Sequence, residues 1–120
     1  MSESISKPPL KPTFREIGSV TVVDLSGELV LGQSSALRVA LRQLMDTGRT
    51  KIILNLGDVK AIDSSGVGEL AGAYSPVKTR GGEMKLLNPT KKVDDMLKLT
   101  QLSRVFVVYT DEAVALGSFG

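Results

Sequence analysis

Asp63-Ser64-Ser65-Gly66-Val67-Gly68 is the part of the chain whose residue types and spacing could do chemistry. It follows Ile52-Ile53-Leu54-Asn55-Leu56, a nearly continuous apolar run of strand length, and opens a segment of helical period. That places it at the carboxyl end of a strand, the edge where open α/β sheets bind ligands and partners. A serine hydroxyl in a first helical turn sits beside free backbone N–H groups and the positive dipole end. A phosphate esterified there finds donors waiting and adds roughly −1.5 to −2 charges without unfolding the helix. Asp63 and Glu69 are already acidic, so a partner docked on the small apolar patch of Gly66, Val67, Gly68 and Leu70 would meet a new desolvated anion. The same residues also read as a well-capped helix start and nothing more. Asp63, Ser64 and Ser65 are all cap formers, and Gly66 lets the chain turn.

Other chemistry is poorly supplied. The chain has no cysteine, which excludes disulfides, thiol nucleophiles and thiolate metal sites, and no histidine, the usual base and metal ligand near pH 7. An enzyme is therefore not expected, and neither a cofactor nor a metal. Gly66, Gly68 and Gly72 do not match the dinucleotide spacing, and Asp63 would repel a pyrophosphate. Asp94-Asp95 and Asp111-Glu112 are neighbours that point in different directions and read as early-turn charges suited to a helix dipole. Asp24 and Asp58 lack clustered ligands for a metal. Arg38 and Arg42, one turn apart, and the pair Lys91-Lys92 read as solvated faces or as a rim for an acidic partner. Fifteen basic against thirteen acidic residues give a formal +2, and with no tryptophan and few aromatics direct nucleic-acid binding is not expected.

The elements that must position the motif follow from length and period. One hundred and twenty residues suit one domain. Residues 1–13, with three of the five prolines, read as a flexible tail, and residues 14–120 as the domain. No apolar run is long enough to cross a bilayer and the N-terminus lacks a signal-peptide core, so the cytoplasm is the expected compartment. Phe14 to Ile17 and Val20 to Leu25 read as a hairpin. Leu37, Ala40, Leu41, Leu44 and Met45 then form a helical stripe, capped at Ser34 or Ser35 and ended at Gly48. Lys51 to Leu56 is a buried strand, and the helix after the motif carries Val67, Leu70, Ala71, Tyr74 and Val77, with Pro76 expected to kink or shorten it. Met84 to Leu87 is a strand, and Thr90 caps a helix with Val93, Met96 and Leu97 inward. Val105 to Tyr109 is the last strand, and Asp111 caps a short final helix. Single helices between strands require crossovers, so the class is α/β with a mixed, mostly parallel sheet of about five strands and four helices. The strand order is not readable from pattern. No long apolar seam demands a dimer, so a monomer is expected.

Asp63-Ser64-Ser65-Gly66-Val67-Gly68 after Ile52-Ile53-Leu54-Asn55-Leu56 closely resembles the STAS domain, the sulfate-transporter and anti-sigma-factor-antagonist domain, from about Phe14 to Leu116. Leu25-Ser26-Gly27-Glu28-Leu29, Gly81-Gly82-Glu83-Met84 and Asn88-Pro89 support the resemblance. It implies an anti-sigma factor antagonist that binds an anti-sigma factor and frees a sigma factor. The family's phosphorylated serine falls on Ser65. Its kinase is typically the anti-sigma factor itself, using MgATP, and a PP2C-type phosphatase resets the switch. The implied partner surface comprises Glu28, Val30, Leu31, Asp63, Ser64, Ser65, Gly66, Val67, Gly68 and Leu70. Many family members carry an aspartate where this chain has Val30, which puts kinase docking or partner choice in question. The alternatives are a STAS scaffold or regulatory subunit of a stress-signalling or lipid-transport complex, which Val30 favours, and a small-molecule or nucleotide-binding domain.

Overall fold

A strand that returns parallel through a helix does so by a right-handed crossover, which fixes the face on which the helix lands. The computed structural model, which describes residues 10–33 and 35–119, contains three such crossovers in succession. The elements are β1 (Lys11–Ile17), β2 (Val20–Leu29), α1 (Ser35–Asp46), β3 (Lys51–Ile62), α2 (Ser64–Thr79), β4 (Glu83–Leu87), α3 (Lys91–Leu99), β5 (Val108–Tyr109) and α4 (Glu112–Gly117). The sheet order is β1-β2-β3-β4-β5, with β1 antiparallel to β2 and every other pair parallel. Each parallel strand adds on the same side, so α1, α2 and α3 share one face. They bury Leu37, Leu41, Leu70, Val77, Val93 and Leu97 against Val23, Leu25, Ile52, Leu54 and Leu86. Alternate strand residues Val20, Val22, Ile53 and Leu87 point the other way, where Ala115 of α4 covers them. The α/β class, the five-stranded mixed sheet and four helices among the described residues are as the sequence implies.

Several boundaries differ from the pattern reading. β1 starts at Lys11 because its main chain pairs with β2 from Lys11↔Ser26 onward; Pro12 is tolerated on an edge strand. Residues 1–9 of the expected tail, and Ser34 as a helix cap, lie outside the described residues. β2 runs on to Leu29 and β3 to Ile62. Their extensions pair with each other across two register shifts, each of which places one extra residue on β3, in segments of low strand propensity. The run Val105 to Tyr109 is mostly not a strand. A 3₁₀ turn at Leu102–Arg104 precedes it, and Phe106 is buried edge-on against Tyr74, ring centroids 5.1 Å apart. Val105 and Val107 are exposed, and only Val108–Tyr109 pairs with β4.

The α1 stripe buries the five residues expected of it. On α2 the buried stripe is Gly66, Leu70, Ala73 and Val77; Ala71 is exposed and Tyr74 only half-buried, one position round from the reading. Pro76 does not end α2, which continues to Thr79. Thr90 precedes α3, but its hydroxyl donates to the Val59 carbonyl (3.0 Å) instead of capping the helix. Asp111 does cap α4, accepting from the Val114 N–H (3.1 Å).

Candidate functional site

The extended ends of β2 and β3 run side by side to Leu29↔Ile62 and deliver two loops to one edge of the sheet. After β2 the chain turns through Val30-Leu31-Gly32-Gln33, closed by the Gln33 N–H donating to the Val30 carbonyl (2.9 Å), with Gly32 at φ +89°. A left-handed third position calls for glycine. The turn leaves Leu31 79% exposed, an unusual place for a leucine beside a conformationally fixed loop. After β3 the chain enters α2 through Asp63.

Asp63 joins the two loops. One carboxylate oxygen accepts from the Gly66 N–H (3.0 Å) and caps α2, and the other accepts from the Leu31 N–H (3.0 Å) across the edge. Its own N–H reaches the Leu29 carbonyl (3.4 Å). The Leu31 N–H, and after it the Gly66 N–H, hold the Asp63 carboxyl below its ordinary value. A carboxyl lowered in the folded state contributes stability that is present above its unfolded pKa, about 3.9, and is lost as pH falls through the folded value. Asp63→Ala is therefore expected to destabilise the protein near neutral pH and to speed amide exchange at Leu31 and Gly66. The stability difference from the unsubstituted protein should shrink on acidification below pH 4. Denaturant unfolding at several pH values, with amide exchange by NMR, checks this, and a pH-independent difference would remove the role assigned to the carboxylate.

Gly66 is required by contact and not by turning, since it lies within α2 without a left-handed backbone. A Cβ there would lie 1.9 Å from the Leu29 carbonyl oxygen and 2.9 Å from the Ile62 side chain. Ser65, in the first turn of α2, is half-buried, whereas Ser64 is exposed. Exposure alone would favour Ser64 as a modified hydroxyl; it is the motif resemblance that selects Ser65. Val67 is half-buried, and Gly68 is exposed with open space around it. Glu28 and Val30 are half-buried at the β2 exit. Leu70 departs from the expected surface. It is fully buried in the core, because the helical spacing from Gly66 carries it inward, and it cannot face a partner.

Sequence reasoning missed two features of this edge. The Asp63–Leu31 tie links residues far apart in the chain, which no local pattern reveals. Arg38, read as a solvated rim, donates from α1 to Glu69 of α2. Glu69 is the more enclosed partner, its side chain 15% exposed against 70% for Arg38. On the opposite face Asp24 binds Arg15 and Asn55, and Arg15 also holds Glu112 at the start of α4. Asp24 thus serves to fasten α4, and its carboxyl is lowered, chiefly by Arg15. Among the described residues no group of three or more acidic side chains is placed to hold a metal ion, and no helix is long and apolar enough to cross a membrane.

The STAS domain profile matches residues 11–115. The anti-sigma F factor antagonist of Paenibacillus polymyxa is 31% identical over 98 residues, covering 81% of this chain and 84% of that protein. The anti-sigma-B factor antagonist of Bacillus subtilis strain 168 is 30% identical over 83 residues, covering 69% and 75%. Among solved structures, the anti-sigma factor antagonist SpoIIAA in its unphosphorylated form is similar with a TM-score of 0.75 at 25% identity, covering 88% of this chain and 93% of that one. The matched span, residues 11–115, takes in all five strands of this chain and the loop that carries Ser65, and the chain belongs to the STAS domain family.

Proposed function

We propose that this protein is an anti-sigma factor antagonist: it binds an anti-sigma factor, frees the sigma factor held there, and is switched off by phosphorylation of Ser65. The observation that carries this reading is the edge built by Asp63. One carboxylate fixes the Ser65 helix start and the exposed Leu31 turn in a single rigid surface. Leu31, Val30, Val67 and Gly68 offer apolar and small contacts, and the half-buried Ser65 lies among them. The names of the two relatives support the choice of partner. In this scheme the chain is the substrate of a serine kinase, which is the anti-sigma factor itself, and of a PP2C-type phosphatase, all in the cytoplasm. The Ser65 hydroxyl attacks the γ-phosphorus of ATP, its proton passes to a base of the kinase or to water, and ADP leaves. Leu31 stands beside Val30, so this edge grips its partner through apolar contact.

Intact mass of the protein isolated from its native cells, followed by fragmentation, tests the switch. A gain of one phosphate located on Ser65 in some growth or stress condition is expected. Absence of phosphate under every condition would count against the switch and leave the edge as an unswitched docking surface.

A further inference from the structure

Ser65, Glu69, Gly72 and Pro76 recur at helical spacing along α2. Gly72 and Pro76 line the groove that separates α2 from Arg38, Leu41, Arg42 and Met45 of α1. Ser65 therefore stands at the N-terminal end of the α2 stripe that faces α1. Glu69, one turn further, is the acid of that stripe. Its Oε2 accepts from Arg38, while its Oε1 is buried with no hydrogen-bond donor among the described residues. Residues i and i+4 of a helix are neighbours, with Cβ atoms about 5–6 Å apart. Helical side chains also lean toward the N-terminus, so the Glu69 carboxylate and the guanidinium it holds lie over the Ser65 turn. Arg42 lines the same groove with no carboxylate partner among the described residues.

We propose that the Arg38–Glu69 pair is the receiver of the Ser65 phosphate: the phosphate takes Arg38 from Glu69, and Glu69 swings away. This rests on the reading of Ser65 as the phosphorylated residue and adds what the phosphate does inside the protein. The competition is unequal. A phosphoserine brings nearly two charges and three acceptor oxygens against the single charge of a carboxylate. A guanidinium also matches phosphate through two parallel hydrogen bonds. Once Arg38 is taken, Glu69 is a carboxylate with no cation, one turn from a dianion, and repulsion drives it from its enclosed place beside Gly68. Phosphorylation then alters the shape of the docking edge as well as its charge. A partner that tolerated the added charge would still meet a displaced Glu69.

The test needs neither kinase nor partner. Phosphoserine is installed by genetic encoding at position 65 of the full chain, and phosphorus NMR follows the second ionisation of the phosphate, ordinarily near pH 6. Arg38 and Arg42 from α1 favour the dianion and lower this value. Asp63 and Glu69 raise it, and the helix N-terminus lowers it in every variant. Arg38→Gln is expected to raise the value by about half a pH unit or more, with Arg38→Lys between the two and Arg42→Gln moving it less. Glu69→Gln is expected to lower it. A titration unmoved by Arg38→Gln, in a protein that melts as the unsubstituted chain does, overturns the proposal. That result would leave the Ser65 switch standing, because partner binding is not what is measured. Conversely, absence of Ser65 phosphate in the cell would strike the functional reading and leave the titration as it is.

Discussion

Gly66→Ala is expected to lower the melting temperature by about 10 °C or more, the equivalent of ~3 kcal/mol in a domain of this size. The new Cβ would stand 1.9 Å from the Leu29 carbonyl oxygen, where real Cβ contacts do not fall below 3.0 Å. The obstacle is strand backbone and not a side chain that can rotate away. Either the end of β2 or the start of α2 must move by more than an ångström, and Asp63 spans that gap with its bonds to Leu31 and Gly66. Overpacking of this kind usually costs about 1–3 kcal/mol, and loss of the cap adds to it. Gly72→Ala in the same helix is the control. A Cβ there meets nothing within 4 Å, so the gain in helix propensity should stabilise the protein by about 0.5–1 kcal/mol. Thermal unfolding of the two variants by circular dichroism decides the matter. Equal melting of Gly66→Ala and the unsubstituted protein would mean that the β2 exit is not packed on α2.

What the sequence made legible, and what it hid, divides by the distance over which a signal acts. The α1 stripe at Leu37, Ala40, Leu41, Leu44 and Met45 is a local period of 3.6, and all five residues are buried. The buried strand at Ile52, Ile53 and Leu54 is likewise local. The Asp63 cap, too, lies within three residues of the N–H it binds at Gly66. The longer β2 and β3 were hidden because Ser26 to Leu29 and Asp58 to Ile62 are held by each other across two register shifts, not by strand-forming side chains. Val105-Phe106-Val107 misled because an apolar run does not say whether its residues share a sheet. Only the Phe106 side chain is anchored, on Tyr74 of α2; Val107 reaches β4 through its carbonyl alone, and the side chains of Val105 and Val107 are exposed. Leu70 was placed at the surface by its nearness to the motif, although the step of four from Gly66 points it into the core. The tie from Asp63 to the Leu31 N–H belongs to neither loop alone and exists only once β2 and β3 are paired.

Ser65→Asp is expected to weaken binding to the anti-sigma factor by about 100-fold or more, close to ~2.7 kcal/mol, while Ser65→Ala stays within a few-fold and resists phosphorylation. The size follows from desolvation. Taking a charge out of water into an interface costs several kcal/mol even after relaxation, and Ser65 is half-buried before any partner arrives. The substitution separates binding from folding. An acidic side chain in the first turn of a helix lies beside unpaired N–H groups and the positive dipole end, a placement that stabilises by roughly 0.3–1 kcal/mol. The Asp variant should therefore melt no lower than the unsubstituted protein, and its loss of affinity cannot be charged to unfolding. An aspartate also carries one charge where a phosphate carries nearly two, so the phosphorylated protein should bind more weakly still. Titration calorimetry with the anti-sigma factor against all three forms gives the order. Equal affinities for Ser65→Asp and Ser65→Ala would mean that this edge does not face the partner, whatever modification Ser65 carries.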